Sequence, residues 1–340
     1  MKFSSIALAS SLFAFAAIPG NAAEVEITLS HWVPPTHPLQ VLGMEPWAKS
    51  ISEASNGRIE IKIFPSQQLG AAPDHYDMAR DGIVDIGFIN PGYQPGRFPI
   101  LAAGELPFMF ANAKSGSRAL HEWYQGYAKT EMKDVYVCMV HLHDPGTLHG
   151  KNGPLVVPGD LKGKNIRPPH ATLARLVNSL GGASVQVPAP EIREALAKGA
   201  ADITAAPWGS LFTFGLDSQV KHHLDMPLYA TTFAFVMNKA KIDGLSPEDR
   251  AVMDDHCTPE WSEKMAAKWA DVEAAGRQKI IDAGGHTLYK PTAEQVAEWE
   301  KATTPLLGQW KEAVKAAGQD PDAVYEAFIA TLKKNGALVE

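Results

Sequence analysis

The sequence ARDGIVDI at positions 79–86 is the most informative segment for the fold class. It is typical of a helix that ends at a glycine and a short strand that follows, because glycine is the usual residue just past a helix end. A loop with a proline and an aromatic residue comes next, at 90–93. The same order recurs at 196–203, which reads LAKGAADI and leads to a Pro-Trp-Gly loop at 207–209. Ligands of open α/β sheets bind beyond the carboxyl ends of the strands, so we expect the two loops to face each other across a cleft.

Strands and helices alternate on both sides of this stretch. The alternation predicts βαβ units, a largely parallel sheet and an α/β fold class. A chain of 340 residues exceeds the roughly 250–300 residues at which a single core stops growing, so two lobes are expected. Helices are predicted at 39–55 and 74–80, and the predicted strands are 24–31, 58–64, 84–89, 135–141, 165–167, 184–187, 201–204 and 231–237.

The C-terminal third has a helical pattern. Ser246 is a favourable N-cap and Pro247 a favourable first helical residue, and the pattern continues to Ala283, where two glycines end it. We therefore predict a single helix over 247–283 that crosses both lobes. Two further helices are predicted at about 293–317 and 321–334.

The charge balance is acidic. Lysine and arginine number 31 against 38 aspartates and glutamates, and the formal net charge is −7. No dense stripe of lysine and arginine is present. A nucleic-acid-binding protein normally carries a basic excess or patch, so no nucleic-acid partner is expected.

The first residues are typical of an export signal. Met1 and Lys2 precede an apolar run at 6–18, a Pro-Gly break and small residues at 20–23. This order predicts a signal peptide over 1–23 and an exported protein located in the periplasm. The apolar run is shorter than the ~20 residues that a membrane span needs. A buried N-terminal helix is the alternative.

The two cysteines, Cys138 and Cys257, lie far apart in the sequence. Two cysteines are too few for a disulfide-rich scaffold, and their wide separation excludes a C-x-x-C site. The two residues are able to pair in an oxidising compartment. Cys138 lies in an apolar strand, however, and free cysteine is among the most buried residue types, so we favour two buried thiols.

Catalytic and cofactor motifs are missing from the sequence. It has no phosphate-binding G-x-x-x-x-G-K-[ST] loop, no G-x-G-x-x-G after a strand, no H-E-x-x-H and no G-x-S-x-G. No cofactor and no catalytic residue are predicted. His141, His143 and His149, together with the pair at 222–223, leave a metal site open, but their spacing fixes no third ligand and favours structural histidines.

Arg167 is the strongest candidate for ligand binding. It ends a short strand that leads into the rigid Pro168-Pro169 loop. A guanidinium is a planar fork that matches a carboxylate with two parallel hydrogen bonds. At a strand end facing a cleft, this geometry suits the capture of an organic anion. An ion pair at the surface or between the lobes is the alternative.

A family resemblance covers essentially the whole chain after the signal peptide. Its order of short motifs resembles the DctP-type extracytoplasmic solute receptors of TRAP (tripartite ATP-independent periplasmic) transporters. The matching motifs are WA at 47–48, SNGR at 55–58, QLG at 68–70, DGIVD at 81–85, PGY at 91–93, RFP at 97–99, ELPF at 105–108, DLKG at 160–163, IR at 166–167, GGA at 181–183, Glu191 with AL at 195–196, GAAD at 199–202, FAFVMN at 233–238 and LSPE at 245–248.

The resemblance implies a two-lobe periplasmic binding protein, type II-like, with a long helix that spans both lobes. Lobe I would comprise 24–144 and about 233–270, and lobe II 145–232 and about 271–290. The C-terminal helices at 291–340 would pack on the lobes. The resemblance further implies a receptor without enzymatic activity that passes its solute to separate membrane subunits. In the family the arginine of the Ile-Arg motif binds the ligand carboxylate, and Arg167 matches it.

Departures from the family pattern bear on the ligand. Many members carry an asparagine where this chain has Ala206, and an aromatic residue where it has Ala189. Some members carry a second arginine before the motif of Arg167, where this chain offers His149 or Thr147. The smaller side chains leave room for a carboxylate larger than a C4 dicarboxylate, aromatic or ring-bearing. The other residues expected to contact it are Trp32, Asn90, Tyr93, Trp208 and Phe233.

Three alternatives remain open at this point. The tryptophans are also suited to packing between lobes rather than against a ligand. A periplasmic metal receptor would use the histidine cluster. An exported enzyme on a two-lobe fold would need a nucleophile or an acid–base pair at the cleft, and none is evident in the sequence.

Overall fold

The computed structural model describes residues 23–339. The predicted signal peptide therefore lies outside the described residues, apart from Ala23. Within 23–339, no helix has the length and apolar character needed to cross a bilayer.

Eleven strands within the described residues form two sheets. Their bounds are β1 Val25–Ser30, β2 Ile59–Phe64, β3 Ile86–Ile89, β4 Val135–Leu142, β5 Thr147–Gly150, β6 Asn165–Arg167, β7 Ala183–Ser184, β8 Ile203–Ala206, β9 His222–Leu224, β10 Thr232–Asn238 and β11 Thr287–Tyr289. The first sheet has the order β2-β1-β3-β10-β4 and the second the order β11-β9-β5-β8-β6-β7. The predicted α/β class is confirmed.

The strand directions correct the expectation of a largely parallel sheet. The pairs β1–β2, β1–β3, β6–β7, β6–β8 and β9–β11 are parallel, but β10 and β5 run antiparallel to both of their neighbours. Strand β5 comes directly after the chain crosses from the first sheet to the second, and β10 comes directly after the chain crosses back. A strand that enters a sheet by such a crossover has no helical βαβ connection to impose the parallel direction.

Twelve α-helices within the described residues surround the sheets. They are α1 Glu45–Ala54, α2 His75–Arg80, α3 Ala113–Tyr124, α4 Ala128–Glu131, α5 Ala171–Ser179, α6 Ile192–Ala197, α7 Ser210–Thr213, α8 Lys239–Asp243, α9 Pro247–Asp255, α10 Pro259–Ala283, α11 Ala293–Ala316 and α12 Pro321–Lys334. A π-helical turn, Gln40–Met44, precedes α1.

The single helix predicted over 247–283 is wrong, because the structure divides it into α9 and α10. Thr258 caps the second helix, and its hydroxyl accepts a hydrogen bond from the backbone N–H of Trp261 at 3.3 Å. Pro259 follows as the first helical residue and has no N–H to continue α9. The longer part, α10, still connects the two sheets, because it packs on α3 and β4 beside the first and on α7 beside the second.

A close backbone contact fixes α10 beside the second sheet. A Cβ added to Gly276 would lie 2.2 Å from the backbone nitrogen of Gly209. Only glycine allows the helix to approach the loop between β8 and α7 so closely. The carboxyl end of β8 is thereby held against the long helix.

The cysteines form a disulfide, so the expectation of two buried thiols is wrong. Cys138 lies on β4 and Cys257 in the turn between α9 and α10, with their Cα atoms 4.6 Å apart. The break before Pro259, which the sequence pattern did not reveal, brings that turn onto β4. The bond closes a loop of 119 residues and suits an oxidising compartment.

Candidate functional site

A cavity lies between the two sheets. Its lining residues come from both sheets and from α10, and most of them are apolar or aromatic. They are Trp32, Val33, His37, Leu39, Phe88, Asn90, Tyr93, His143, Arg167, Pro169, Ala189, Ile192, Ala205, Ala206, Pro207, Ser210, Phe214, Leu216, Tyr229, Thr231, Phe233 and Trp269.

Five of the seven predicted site residues line this cavity: Arg167, Asn90, Tyr93, Trp32 and Phe233. Trp208 and His149 lie outside the lining. The small residues Ala189 and Ala206 are both part of the wall.

Aromatic rings form one continuous wall of the cavity. Trp32 stacks on Phe88 with ring centroids 5.4 Å apart, and it meets Tyr93 at 5.9 Å. Phe233 lies 5.4 Å from Phe88 and 5.6 Å from Trp269. Packed rings present flat apolar faces with little freedom to rearrange, and they suit a planar apolar ligand.

Arg167 is the cationic side chain of the lining. It ends β6, where it pairs with Thr204 of β8, and the prolines that follow hold the strand end rigid. Only 3% of the residue is exposed. Its Nε donates a hydrogen bond to the carbonyl of Val187 at 3.0 Å, which orients the guanidinium. Among the described residues, no carboxylate lies within ion-pair distance of it and its Nη groups have no acceptor.

The charge of Arg167 acts on three buried side chains, those of His143, His170 and Tyr229. The positive charge of Arg167 contributes to lowering the pKa of His143 and of His170, although burial is the larger cause for both. His143 holds a pKa of about 4, so its ring is neutral at pH 7. Its Nδ1 lies 2.6 Å from the carbonyl oxygen of Asp144, and therefore carries the proton. Burial raises the pKa of Tyr229 far above its ordinary value, so its hydroxyl stays protonated at pH 7.

Asn90 and Tyr93 connect the two sheets across the cavity. The Asn90 amide nitrogen donates to the carbonyl of Pro169 at 3.1 Å, and its oxygen accepts from the N–H of Gly92 at 2.9 Å. The Tyr93 hydroxyl accepts a hydrogen bond from the backbone N–H of Ala189 at 2.9 Å. These bonds hold the cavity walls together.

His149 lies behind the cavity wall, in a row of hydrogen-bonded groups that we call the imidazole chain: Lys221, His286, His223 and His149. His149 Nε2 donates to the carbonyl of Ala206 at 3.0 Å, and its Nδ1 accepts from His223 at 2.8 Å. His223 in turn accepts from His286 at 2.9 Å, and His286 accepts from the Lys221 ammonium at 3.3 Å. Every ring nitrogen of the three histidines in the imidazole chain has a hydrogen-bond partner.

Trp208 packs on this chain instead of on the cavity. Its ring lies 4.9 Å from that of His149 and 5.4 Å from that of His223. Burial lowers the pKa of His149 to about 3 and that of His223 to about 2, so both rings are neutral at pH 7. Both residues therefore stabilise the wall behind Ala206.

The remaining histidines do not form a metal centre. Within residues 23–339, no group of three or more histidine, cysteine, aspartate or glutamate side chains is arranged to hold a metal ion. His141 is fully buried among Phe88, Phe233 and Phe235, and burial lowers its pKa to about 3. It belongs to the aromatic core behind the cavity.

Glu273 positions two lining residues from the long helix. It accepts hydrogen bonds from the backbone N–H and the hydroxyl of Ser210 at 2.8 and 2.6 Å, and from the Trp269 indole at 2.6 Å. Burial raises the pKa of this carboxyl to about 7. Trp269 is thereby fixed against the aromatic wall.

Sequence reasoning missed several lining residues, among them His37, Tyr229 and Trp269. Tyr229 follows β9 in a segment without strand alternation, and only its isolated bridge to Gly146 brings it to the cavity. A Cβ at Gly146 would lie 2.9 Å from the Tyr229 ring, so this close contact depends on a glycine far away in the sequence. His37 and Trp269 carry no local signal, since they reach the cavity from a loop and from the middle of α10.

A family model matches most of the chain. Residues 29–313 match the model of DctP, described as bacterial extracellular solute-binding protein, family 7.

Solved structures with aromatic ligands are similar over most of their length. A TRAP solute-binding protein from Rhodoferax ferrireducens T118, in complex with copurified benzoate, is 32% identical with a TM-score of 0.87, over 92% of this chain and 98% of that one. A marine metagenome TRAP protein specific for aromatic acid ligands, with 3-hydroxybenzoate, is 32% identical with a TM-score of 0.86, over 92% and 99%. A Bordetella bronchiseptica TRAP protein with bound (R)- and (S)-mandelate is 32% identical with a TM-score of 0.85, over 91% and 99%.

Proposed function

The chain belongs to family 7 of the bacterial extracellular solute-binding proteins, and from this premise we propose that it binds an aromatic carboxylate and delivers it to the membrane subunits of a TRAP transporter. Members of this family are receptors of transport systems, not enzymes. The exported-enzyme alternative therefore has no support.

One observation carries the carboxylate assignment. Arg167 is a buried cation whose guanidinium has one hydrogen bond, to Val187, and no carboxylate partner among the described residues. A buried charge without a partner is unfavourable. A bound carboxylate would supply the missing partner, so the carboxylate and the guanidinium would stabilise each other. Tyr229 also lines the cavity, and its protonated hydroxyl is a further hydrogen-bond donor.

The aromatic part of the ligand is supported by the walls and by the relatives. Trp32 and Phe233 offer ring faces to the cavity, and Ala189 and Ala206 leave space beside them. The similar structures from R. ferrireducens, the marine metagenome and B. bronchiseptica contain benzoate, 3-hydroxybenzoate and mandelate. We assign ligand contact to Arg167, Trp32, Tyr93, Asn90 and Phe233, and a supporting role to Trp208 and His149.

Two lobes that close on the solute follow from the same proposal. Lobe I comprises 24–144 and about 233–270, lobe II 145–232 and about 271–290, and the helices after 291 pack on both. The strands of the first sheet all fall in the first set of ranges, apart from Thr232, and those of the second sheet fall in the second. The bonds of Asn90 and Tyr93 cross between the lobes and would break when a hinge opens.

We also propose that a signal peptide over 1–23 exports the protein to the periplasm. The disulfide between Cys138 and Cys257 supports an oxidising location. Lobe closure there would present the loaded receptor to the membrane subunits.

A melting panel tests the ligand class. The purified protein is unfolded, freed of bound solute by dialysis and refolded, and its melting temperature is measured with benzoate, mandelate, succinate and malate. At 100 times its Kd a ligand adds about 2.7 kcal/mol of stability. Stabilisation by the aromatic acids supports the proposal. Stabilisation by the aliphatic acids alone would overturn the aromatic assignment, and the absence of any shift would overturn the carboxylate assignment.

Native mass spectrometry of the protein as first purified gives an independent test. A retained ligand with the mass of an aromatic monocarboxylic acid is the expected result. A retained metal ion would instead point to the metal receptor.

A further inference from the structure

His37 presents a single, fixed hydrogen-bond donor to the cavity. Its Nδ1 accepts a hydrogen bond from the backbone N–H of Leu39 at 3.1 Å, so the ring proton resides on Nε2. The residue is only 1% exposed, and burial lowers its pKa to about 3, which keeps the ring neutral. The Nε2–H has no acceptor among the described residues, although His37 is part of the cavity lining.

The contacts of His37 differ from those of the guanidinium. The His37 ring meets Phe214 at 5.7 Å and Trp269 at 5.3 Å. The guanidinium is bonded to Val187 instead. The lining thus contains a cation and a separate neutral donor among aromatic residues, and we call the part of the cavity at His37 the donor end.

We propose that His37 determines specificity by donating from Nε2 to a neutral oxygen substituent on the ligand, at the end of its ring remote from the carboxylate. The preferred solute is then an aromatic monocarboxylate with a ring hydroxyl. This inference rests on the proposed function, since the carboxylate must first be held by Arg167.

The chemistry of the donor end selects against other acids. A ligand without an oxygen at that end leaves the buried Nε2–H without a partner, which costs binding free energy. A second carboxylate there would be a buried anion facing a neutral ring, with no cation to compensate its lost hydration. Both benzoate and a benzene dicarboxylate should therefore bind less tightly than a hydroxybenzoate.

Calorimetric titration of the refolded protein measures this preference directly. The probes are benzoate, 3-hydroxybenzoate, 4-hydroxybenzoate and terephthalate. At least one hydroxybenzoate should bind about 3- to 10-fold more tightly than benzoate, which corresponds to one neutral hydrogen bond. Terephthalate should bind more weakly than benzoate. Equal or tighter binding of benzoate than of both hydroxybenzoates would overturn the proposal.

Two variants separate the two nitrogens of His37. His37→Asn retains an oxygen near the position of Nδ1 for the Leu39 N–H but is too short to donate to a ligand. His37→Gln reaches the position of Nε2 with an N–H donor but loses the nearer acceptor. The ratio of the benzoate Kd to the hydroxybenzoate Kd should fall to about one in His37→Asn and should remain above one in His37→Gln.

The other outcomes are equally informative. A preference that survives in His37→Asn, or a loss of benzoate binding in both variants, would assign His37 to cavity shape and overturn its role as donor. Failure of every aromatic acid to bind the wild type would overturn the proposed function itself. Tight binding of benzoate without any gain from a hydroxyl would overturn only the role of His37.

Discussion

Arg167 and His149 are both buried polar side chains on strands of the second sheet, and both were predicted to contact the ligand. Their surroundings differ. His149 uses both ring nitrogens within the protein, on Ala206 and His223. Arg167 uses only Nε, on Val187, and directs the rest of its guanidinium at the cavity. Buried polar groups are normally paired. A cation that lines the cavity and has no acceptor for its Nη groups is therefore the stronger candidate for ligand contact.

The comparison also separates two kinds of contribution to the site. The imidazole chain stabilises the wall and adds no charge to the cavity. Under the proposed function, Arg167 is unfavourable to the ligand-free protein and favourable to the complex. His37 combines the two arrangements, because its Nδ1 is paired internally and its Nε2–H has no acceptor among the described residues.

The largest expected effect comes from removing the guanidinium. Arg167→Ala should weaken binding of the preferred aromatic acid by at least about 30-fold, since truncating one partner of a buried charge pair costs 2 kcal/mol or more. The melting temperature of the ligand-free variant should not fall, because the variant loses an uncompensated buried charge. Calorimetric titration and thermal melting measure the two quantities.

Arg167→Lys is the matched control for charge. It keeps the cation and loses the planar fork, so its affinity should lie between those of the wild type and Arg167→Ala. An affinity within threefold of the wild type in Arg167→Ala would disprove the assignment of the carboxylate site.

Breaking the imidazole chain should lower stability without changing the ligand preference, which is the opposite of the result expected for Arg167→Ala. His223→Leu leaves the facing nitrogens of His149 and His286 without partners, so the free energy of unfolding should fall by about 1–3 kcal/mol. Ligand preference should remain, because the chain lies behind the wall. Urea denaturation gives the stability, with His222→Ala as the control on the same strand. A changed ligand preference with unchanged stability would place the chain in the binding site instead.

The pH dependence of stability should reflect the buried neutral histidines. Burial lowers the pKa of His37, His141 and His149 from 6.5 to about 3. The unfolded chain therefore binds more protons than the folded chain below pH 6.5. Their contribution is present above pH 6.5 and is lost as pH falls through the range from 6.5 to about 3.

Two buried carboxyls act in the opposite direction. The pKa of Glu105 and that of Glu273 are both raised from 4.5 to about 7 by burial, so these groups favour the folded state at low pH and lose that contribution as pH rises through 7. The histidines outnumber them, so urea denaturation should give maximal stability between about pH 6.5 and 7. A steady gain in stability from pH 7 down to pH 4.5 would contradict the buried neutral state of the histidines.

The smallest expected effect concerns lobe closure. Tyr93→Phe keeps the ring in the aromatic wall but removes the hydroxyl that accepts from the Ala189 N–H. Affinity should fall about 3- to 10-fold, since one neutral hydrogen bond of the closed arrangement is lost. Calorimetric titration of the variant and of the wild type with the same aromatic acid measures the difference in Kd. An unchanged Kd would limit Tyr93 to the packing of its ring.

Prediction from sequence was most successful where the signal is local. The strand and the prolines around Arg167 are adjacent in the chain, and a strand end beside a rigid loop needs no distant partner to be recognised. The same holds for the glycine ends of α2 and α6. His149 was misplaced because its neighbours His223 and His286 come from β9 and from the segment after α10, far along the chain.

The disulfide and the division of the long helix show the same limit. Pro259 was visible in the sequence, but the helical pattern on both sides of it was uninterrupted. Whether a proline begins a new helix or only bends one depends on whether another element receives the turn. Here β4 receives it, and Cys257 meets Cys138 as a result.

The α/β class, the family and the cationic residue at the end of β6 could be recognised in the sequence. These features follow from residue periodicity, from motif order and from the chemistry of a single side chain. The pairing of the histidines, the unpaired nitrogen of His37 and the set of rings in the cavity wall could be recognised only in the folded chain. Hydrogen-bond satisfaction and burial are properties of groups brought together from distant parts of the sequence, and both depend on every partner present.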